Sequence, residues 1–295
     1  MTANQPPVYQ RSPLAQKISR LPSSSTSVLS PDHVEGFRRA QELAFECAKA
    51  AAREMRLGWT EAQTGRWMHQ WLLDHGVRSF LHKPIVAYGP RTLAPDDQWG
   101  PVKGEGAPLR EGDVVILDCS AVVDHYTGDV AYTTSAGPNP ELVKAQEFLS
   151  GLRSQMIERF RDPQPRDTIF DWVDQEIRAR GYENAAGGYG QHVVGHRVYR
   201  YGKFFSGHAA FPPERVFGWF LSWHGSGFLV NNLRRLIMPE VLNVNHRGAK
   251  TGIWAIEPHL RVGHFGCKFE ELLVVTPDGA HWLSDTSQER IVIGT

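Results

Sequence analysis

An aspartate closing an apolar, strand-like run constrains this chain more than its overall composition does. Residues 114–118 read Val-Val-Ile-Leu-Asp, and a carboxylate beside a buried run is costly unless something pairs it. Asp118 is therefore expected to end its strand. Asp129 follows 11 positions on, after the turn-prone stretch Asp124-His125-Tyr126-Thr127-Gly128, and a hairpin would bring the two acids together. Adjacent carboxylates repel, so they need a shared proton or a cation between them; taken alone, the pair also reads as an N-cap and a turn residue. Glu257 in Trp-Ala-Ile-Glu-Pro repeats the design, with a proline ending the ladder, and Glu270 in Lys-Phe-Glu-Glu follows 13 positions later. His196 adds an imidazole after a glycine-rich approach over 187–195. Four carboxylates and one histidine suit divalent ions bridged by acids; Mn, Fe, Co or Zn fits this set better than calcium.

The elements around these residues follow one order twice. Ser30 and Pro31 read as the N-cap and first position of an Ala-rich helix to about Met55. Thr60 with Gln63 forms a capping box for a second helix that Gly76 stops. An extended segment, 84–87, precedes the strands at 114–117, 121–123 and 130–134. After Asn139 and Pro140 come helices at about 141–160 and 168–179, then strands around 254–257 and 269–275. This predicts an α+β fold of two pseudo-repeated halves closing around a shared site. The first 30 residues are Ser- and Pro-rich, with no acid before Asp32. They read as a flexible leader, with a transit peptide as the alternative; the folded domain is expected over 31–295. An aromatic-rich insertion at about 198–250 carries Trp219 and Trp223, either as added core or as the lining of a pocket or lid.

Composition narrows the function classes. Lys plus Arg equals Asp plus Glu at 32 each, so no overall basic field attracts nucleic acid, and no apolar run is long enough to span a bilayer. Three widely spaced cysteines, Cys47, Cys119 and Cys267, point to free thiols in a reducing, cytoplasmic setting.

The acids and histidine carry a resemblance. From about residue 32 to 286 the sequence resembles the pita-bread fold (M24) metallopeptidases, the family of methionine aminopeptidase, prolidase and Xaa-Pro aminopeptidase. Residues 84–89, Pro-Ile-Val-Ala-Tyr-Gly, look like the family's extended segment before the first metal strand. Asp118 and Asp129 match its two aspartate ligands, Gly195-His196 its histidine, Ile256-Glu257-Pro258 its first glutamate, and Lys268-Phe269-Glu270-Glu271 its second. The resemblance implies two divalent metal ions, Asp129 and Glu270 as bridging carboxylates, and a hydroxide between the metals as nucleophile. His192 resembles an additional histidine of the prolidase and Xaa-Pro branch; it also reads as a surface residue of the glycine-rich loop.

Departures matter as much. Family peptidases place a histidine in the loop before the first aspartate, but residues 93–110 contain none; another falls seven positions beyond the ligand histidine, where Lys203 stands. His208 is the nearest replacement and His82 another, although each alone reads more readily as structural or exposed. The leading expectation is a dinuclear metal-dependent hydrolase resembling an aminopeptidase or Xaa-Pro dipeptidase, with His192 and His208 as catalytic candidates. The alternatives are an enzyme of the same fold acting on a non-peptide small molecule in a biosynthetic pathway, and a binding protein using the fold as a scaffold. Expected partners are a small peptide or small-molecule substrate and a second copy in a homodimer; neither nucleic acid nor membrane is expected.

Overall fold

The computed structural model describes residues 9, 11–13, 16, 17, 29–93, 102–162, 167–188, 193–198, 241–248, 250–284 and 290–294. Helix α1 (Pro31–Glu54) starts where Ser30 accepts a hydrogen bond from the His33 amide and Pro31 takes a position that needs no donor. Helix α2 (Glu61–Asp74) opens on a complete capping box between Thr60 and Gln63. Strand β1 (Ser79–Tyr88) leads through a 3-10 turn (Gly89–Leu93) to the hairpin of β2 (Val114–Val123) and β3 (Tyr126–Ala136). Helices α3 (Pro140–Arg161) and α4 (Ile169–Ala179) follow, each with its own side-chain cap at Asn139 and Thr168.

Two four-stranded sheets organise the molecule. The first runs β1-β2-β3-β11, where β11 (Val292–Ile293) adds in parallel to β3. The second runs β10-β9-β6-β5, from β5 (Gly195–Val198), β6 (Gly252–Ile256), β9 (Glu271–Thr276) and β10 (Gly279–Trp282). A smaller sheet contains β4 (Glu183–Asn184), β7 (His259–Val262) and β8 (Phe265–Lys268). Ala131 and Glu270 exchange backbone hydrogen bonds of 3.3 and 3.2 Å, which stitch β3 to the start of the second half.

Strand alternation decides which face carries chemistry. Val115, Leu117, Cys119 and Ala121 pack with Ala44, Ala48 and other residues of α1 and α2, so Asp118 points to the opposite face. Val130 and Tyr132 lie in the same core, and Asp129 between strand neighbours faces away from it likewise. In the second half, Trp254, Ile256 and Leu273 pack against α3 and α4.

Two expectations about the strands are corrected. Asp118 does not end its strand; β2 continues five residues further, to Val123, because the buried charge has partners on the site side. The turn is also tighter than the stretch 124–128. Only Asp124 and His125 turn, with φ of 48° and 74°, the left-handed pair that a two-residue hairpin needs; Gly128 and Asp129 lie inside β3. Strand β1 is likewise longer than the segment 84–87, and β7 and β8 form a hairpin absent from the sequence reading. The three cysteines are buried and unbridged. Three described leader residues dock on the second half: Tyr9 donates to Asp174 at 2.9 Å, Arg11 grips Asp171 at 2.7 and 2.8 Å, and the Ser12 amide donates to Asn245 Oδ1 at 2.9 Å. No helix among the described residues is long and apolar enough to cross a membrane.

Candidate metal centre

Six buried or nearly buried polar side chains converge where the half-sheets meet. Asp118 and Asp129 come from β2 and β3, His196 from β5, Glu257 from just beyond β6, Glu270 from the bridge before β9, and Lys268 from the end of β8. In the sequence Lys268 stands out only as the first residue of the Lys-Phe-Glu-Glu motif. The signal that could have found it is the period of two, which puts Lys268 and Glu270 on one face.

Lys268 gathers three of the acids. Its ammonium lies 3.3 Å from Asp118 Oδ2, 3.1 Å from Glu257 Oε2 and 3.1 Å from Glu270 Oε2, with only 1% of the side chain exposed. The other oxygens of Asp118 and Glu270 face imidazoles: His82 Nε2 lies 3.3 Å from Asp118 Oδ1, and His196 Nε2 lies 3.7 Å from Glu270 Oε1. Asp129 lies between the two rings, with Oδ1 3.7 Å from His82 Nε2 and Oδ2 3.1 Å from His196 Nε2. Two candidate ion-holding groups result, His82 with Asp118 and Asp129, and Asp129 with His196 and Glu270.

His82 reaches the acids because β1 is irregular. It pairs with Ser120, Ile85 pairs with Asp118, and the register shifts on either side of His82. Pro84 is tolerated because β1 is an edge strand, and bulges re-aim side chains. His82 was named as a replacement histidine that reads more readily as structural; its placement beside both aspartates follows from a bulge that sequence alternation does not reveal.

The protein groups by themselves are electrostatically strained. Burial raises Asp118 to about 6, although Lys268 and His82 pull the other way. Burial, then repulsion from Glu270, raises Glu257 to about 8 against the pull of Lys268. Burial also opposes the charge on Asp129, but the neighbouring His196 and His82 rings outweigh it and hold this acid well below the usual range. Burial disfavours the charged imidazoles, yet Asp118 and Asp129 lift His82 to about 9, and Asp129 with Glu270 lifts His196 well above its ordinary value.

A divalent cation fits these donors. Asp118 Oδ1 and both oxygens of Asp129 are buried with no hydrogen-bond partner, a state that costs about 1–3 kcal/mol per group and more for charged ones. Hard carboxylate oxygens with imidazole nitrogen match first-row divalent ions.

His192, His208, Lys203, Trp219 and Trp223 lie outside the described residues, as do most of the 198–250 insertion and residues 94–101. At the insertion's far end, Val241 bridges to His196, and Leu242 exchanges backbone hydrogen bonds with Val194 and Gly195.

Two α+β halves, each sheet covered by helices and the pair meeting at a carboxylate and imidazole cluster, define the pita-bread fold. The sequence places the chain more narrowly: the model of metallopeptidase family M24 matches residues 35–277, and the chain belongs to that family. Among solved structures, it is similar to the X-Pro aminopeptidase from Thermotoga maritima MSB8 (TM-score 0.59, 19% identity, 90% of this chain and 64% of that one). It is also similar to the prolidase from Pyrococcus horikoshii OT3 (TM-score 0.60, 21% identity, 90% and 64%). Among curated proteins, it is 23% identical over 171 residues to an uncharacterized peptidase of Staphylococcus aureus (strain bovine RF122 / ET3-1), covering 58% of this chain and 46% of the relative. The chain thus spans about half the length of that relative.

Proposed function

We propose that the protein is a metal-dependent hydrolase that cleaves a small peptide near its terminus, in the manner of an aminopeptidase or Xaa-Pro dipeptidase, with two divalent ions held by Asp118, Asp129, His196, Glu257 and Glu270. The observation that carries this reading is the set of buried carboxylate oxygens without a hydrogen-bond partner, Asp118 Oδ1 and both of Asp129, which lie beside His82 and His196. Membership of family M24 supports peptide hydrolysis as the reaction class.

Divalent ions bound there would polarise a substrate carbonyl and acidify an attacking water. The protein's own contribution is to hold the donors still. Lys268 fixes one oxygen of each of three carboxylates, so that the second oxygen has one direction left. His196 turns Nε2 toward Asp129 and Glu270 while its Nδ1 lies 3.4 Å from the Arg197 carbonyl. Such outer contacts orient a ligand and set its tautomer. Glu257, with 14% of its side chain exposed against 1–4% for the other acids, is the acid a substrate meets first.

A non-peptide small-molecule substrate is favoured by one observation: residues 93–110 contain no histidine and position 203 is lysine, so two proton-handling groups of the related peptidases are missing. A panel of methionyl, Xaa-Pro and other short peptides, assayed on protein reconstituted with Mn, Fe, Co or Zn alongside elemental analysis, tests both readings. Two bound ions with turnover of any peptide support hydrolysis of peptides; two ions without turnover favour the second reading; the absence of metal refutes both.

A further inference from the structure

We propose that His82 is itself a metal ligand, so that each of the two ion subsites carries one imidazole: His82 with Asp118 and Asp129 in one, and His196 with Asp129 and Glu270 in the other. This rests on the metal-dependent reading above and extends it by a sixth ligand, with a consequence for metal choice.

The geometry comes first. Ligand atoms about 2.0–2.2 Å from a shared ion stand roughly 3.0 Å apart at right angles and about 3.4 Å apart at tetrahedral angles. His82 Nε2 stands 3.3 Å from Asp118 Oδ1 and 3.7 Å from Asp129 Oδ1, while His196 Nε2 stands 3.1 Å from Asp129 Oδ2 and 3.7 Å from Glu270 Oε1. Both rings therefore sit at the same stand-off from their acids, with room for an ion. These spacings are longer than a charge-assisted N–H···O hydrogen bond of about 2.7–2.9 Å.

Tautomer comes second. His82 Nδ1 lies 2.9 Å from the carbonyl of Lys83, the next residue, and His196 Nδ1 lies near the carbonyl of Arg197, again the next residue. A carbonyl only accepts, so Nδ1 carries the proton, and a neutral ring then presents its Nε2 lone pair to the acids. A lone pair facing carboxylate oxygens is repulsive unless a proton or a metal ion lies between them, and the 3.3 and 3.7 Å spacings at His82 leave room for the ion. Asp118 Oδ1 and Asp129 Oδ1, the two oxygens nearest His82, are among the buried atoms with no hydrogen-bond partner. The same arrangement occurs twice, with Asp129 shared between the two rings.

A nitrogen donor in both subsites shifts preference from Mn toward Co and Zn, which take imidazole more readily. The full chain is loaded with two equivalents of Co(II), and the strongly shifted, solvent-exchangeable imidazole Nδ1–H resonances are counted by proton NMR. Wild type is expected to give two, H82Q one and H196Q one. In calorimetric Co(II) titrations, H82Q should weaken one of the two binding events by more than the about 10 to 100-fold that loss of a mere orienting partner costs. A single shifted resonance in wild type overturns the proposal without any variant having to fold, as does an H82Q titration that matches wild type. If H196Q alters cobalt binding and H82Q does not, His82 fails while the hydrolase reading stands; if wild type binds no cobalt, both fail.

Discussion

Replacing Gly128 by alanine should be among the costliest single methyl additions to this fold. A Cβ at this position would lie 2.2 Å from both the carbonyl carbon and oxygen of Ala40 and 2.6 Å from the Gln41 amide nitrogen, against ordinary contacts of about 3.5–4.0 Å. Helix α1 and strand β3 would have to part by more than an ångström, since backbone atoms cannot rotate away. Separation would also disturb Gln41, which accepts from the Leu272 amide at 2.6 Å and donates to Ser284 at 2.8 Å. Overpacking alone costs about 1–3 kcal/mol, and weakening two largely buried hydrogen bonds adds about 1 kcal/mol each. The expected destabilisation is therefore about 3–5 kcal/mol, or roughly 10 °C in Tm at the few degrees per kcal/mol typical of a domain of this size. Urea unfolding monitored by far-UV circular dichroism, with calorimetry, measures it. Gly36 supplies the control: a Cβ there meets the Tyr126 ring at 2.4–2.6 Å, a side chain that can be trimmed. Tyr126→Ala should recover part of the loss in Gly36→Ala and none of it in Gly128→Ala. A Gly128→Ala protein within about 1 kcal/mol of wild type would show that α1 can shift freely, and the steric argument would be wrong.

Other outcomes follow from the same contacts. Without added metal, stability should fall as pH rises from about 4 to 9: the raised carboxylates Asp118 and Glu257 lose their protons at growing cost, and the contribution of raised His82 is lost through about 9. Thermal scans at pH 6 and 9 should show this slope, and divalent ions should flatten it while releasing protons, measurable by calorimetry in buffers of different ionisation enthalpy. Lys268→Met leaves Asp118, Glu257 and Glu270 without their shared ammonium and should lower the Tm of the metal-free protein, with divalent ions restoring more of it than they add to wild type; equal losses with and without ions would contradict the charge argument. Glu61→Ala strips the acceptor from the Tyr88 amide, Arg91 and the Ala107 amide and should cost about 3 kcal/mol in urea unfolding.

Much of the fold is written locally. The helix starts were legible because each carries its own side-chain cap, as at Ser30 and Thr60, and such signals need nothing from the rest of the chain. Asp118 was read as a strand end because an unpaired buried carboxylate is prohibitive; its partners, Lys268 and His82, lie on distant strands, so no local pattern could extend β2 beyond it. His82 was obscured by the register shifts around it, which break the alternation from which a facing residue is inferred. Short strands such as β7, bounded by Pro258 and Gly263, gave too few residues for a period. The acids themselves stood out because charge in an apolar run violates the local rule, and such violations gather where a protein has chemistry to perform.

The seam at Ala131 and Glu270 also sets an order of events during synthesis. Strands β2 and β3 emerge early with Asp118 and Asp129 in place, while Lys268 and Glu270 are still to be translated. A nascent first half therefore carries two inward acids on a sheet whose β3 edge awaits both its bridge to Glu270 and the late arrival of β11. Inward charge on an open edge discourages two growing chains from pairing through it. The feature that gathers the donors in the finished molecule thus also guards the half-made one, and the guard is released when the ammonium and the second sheet close over it.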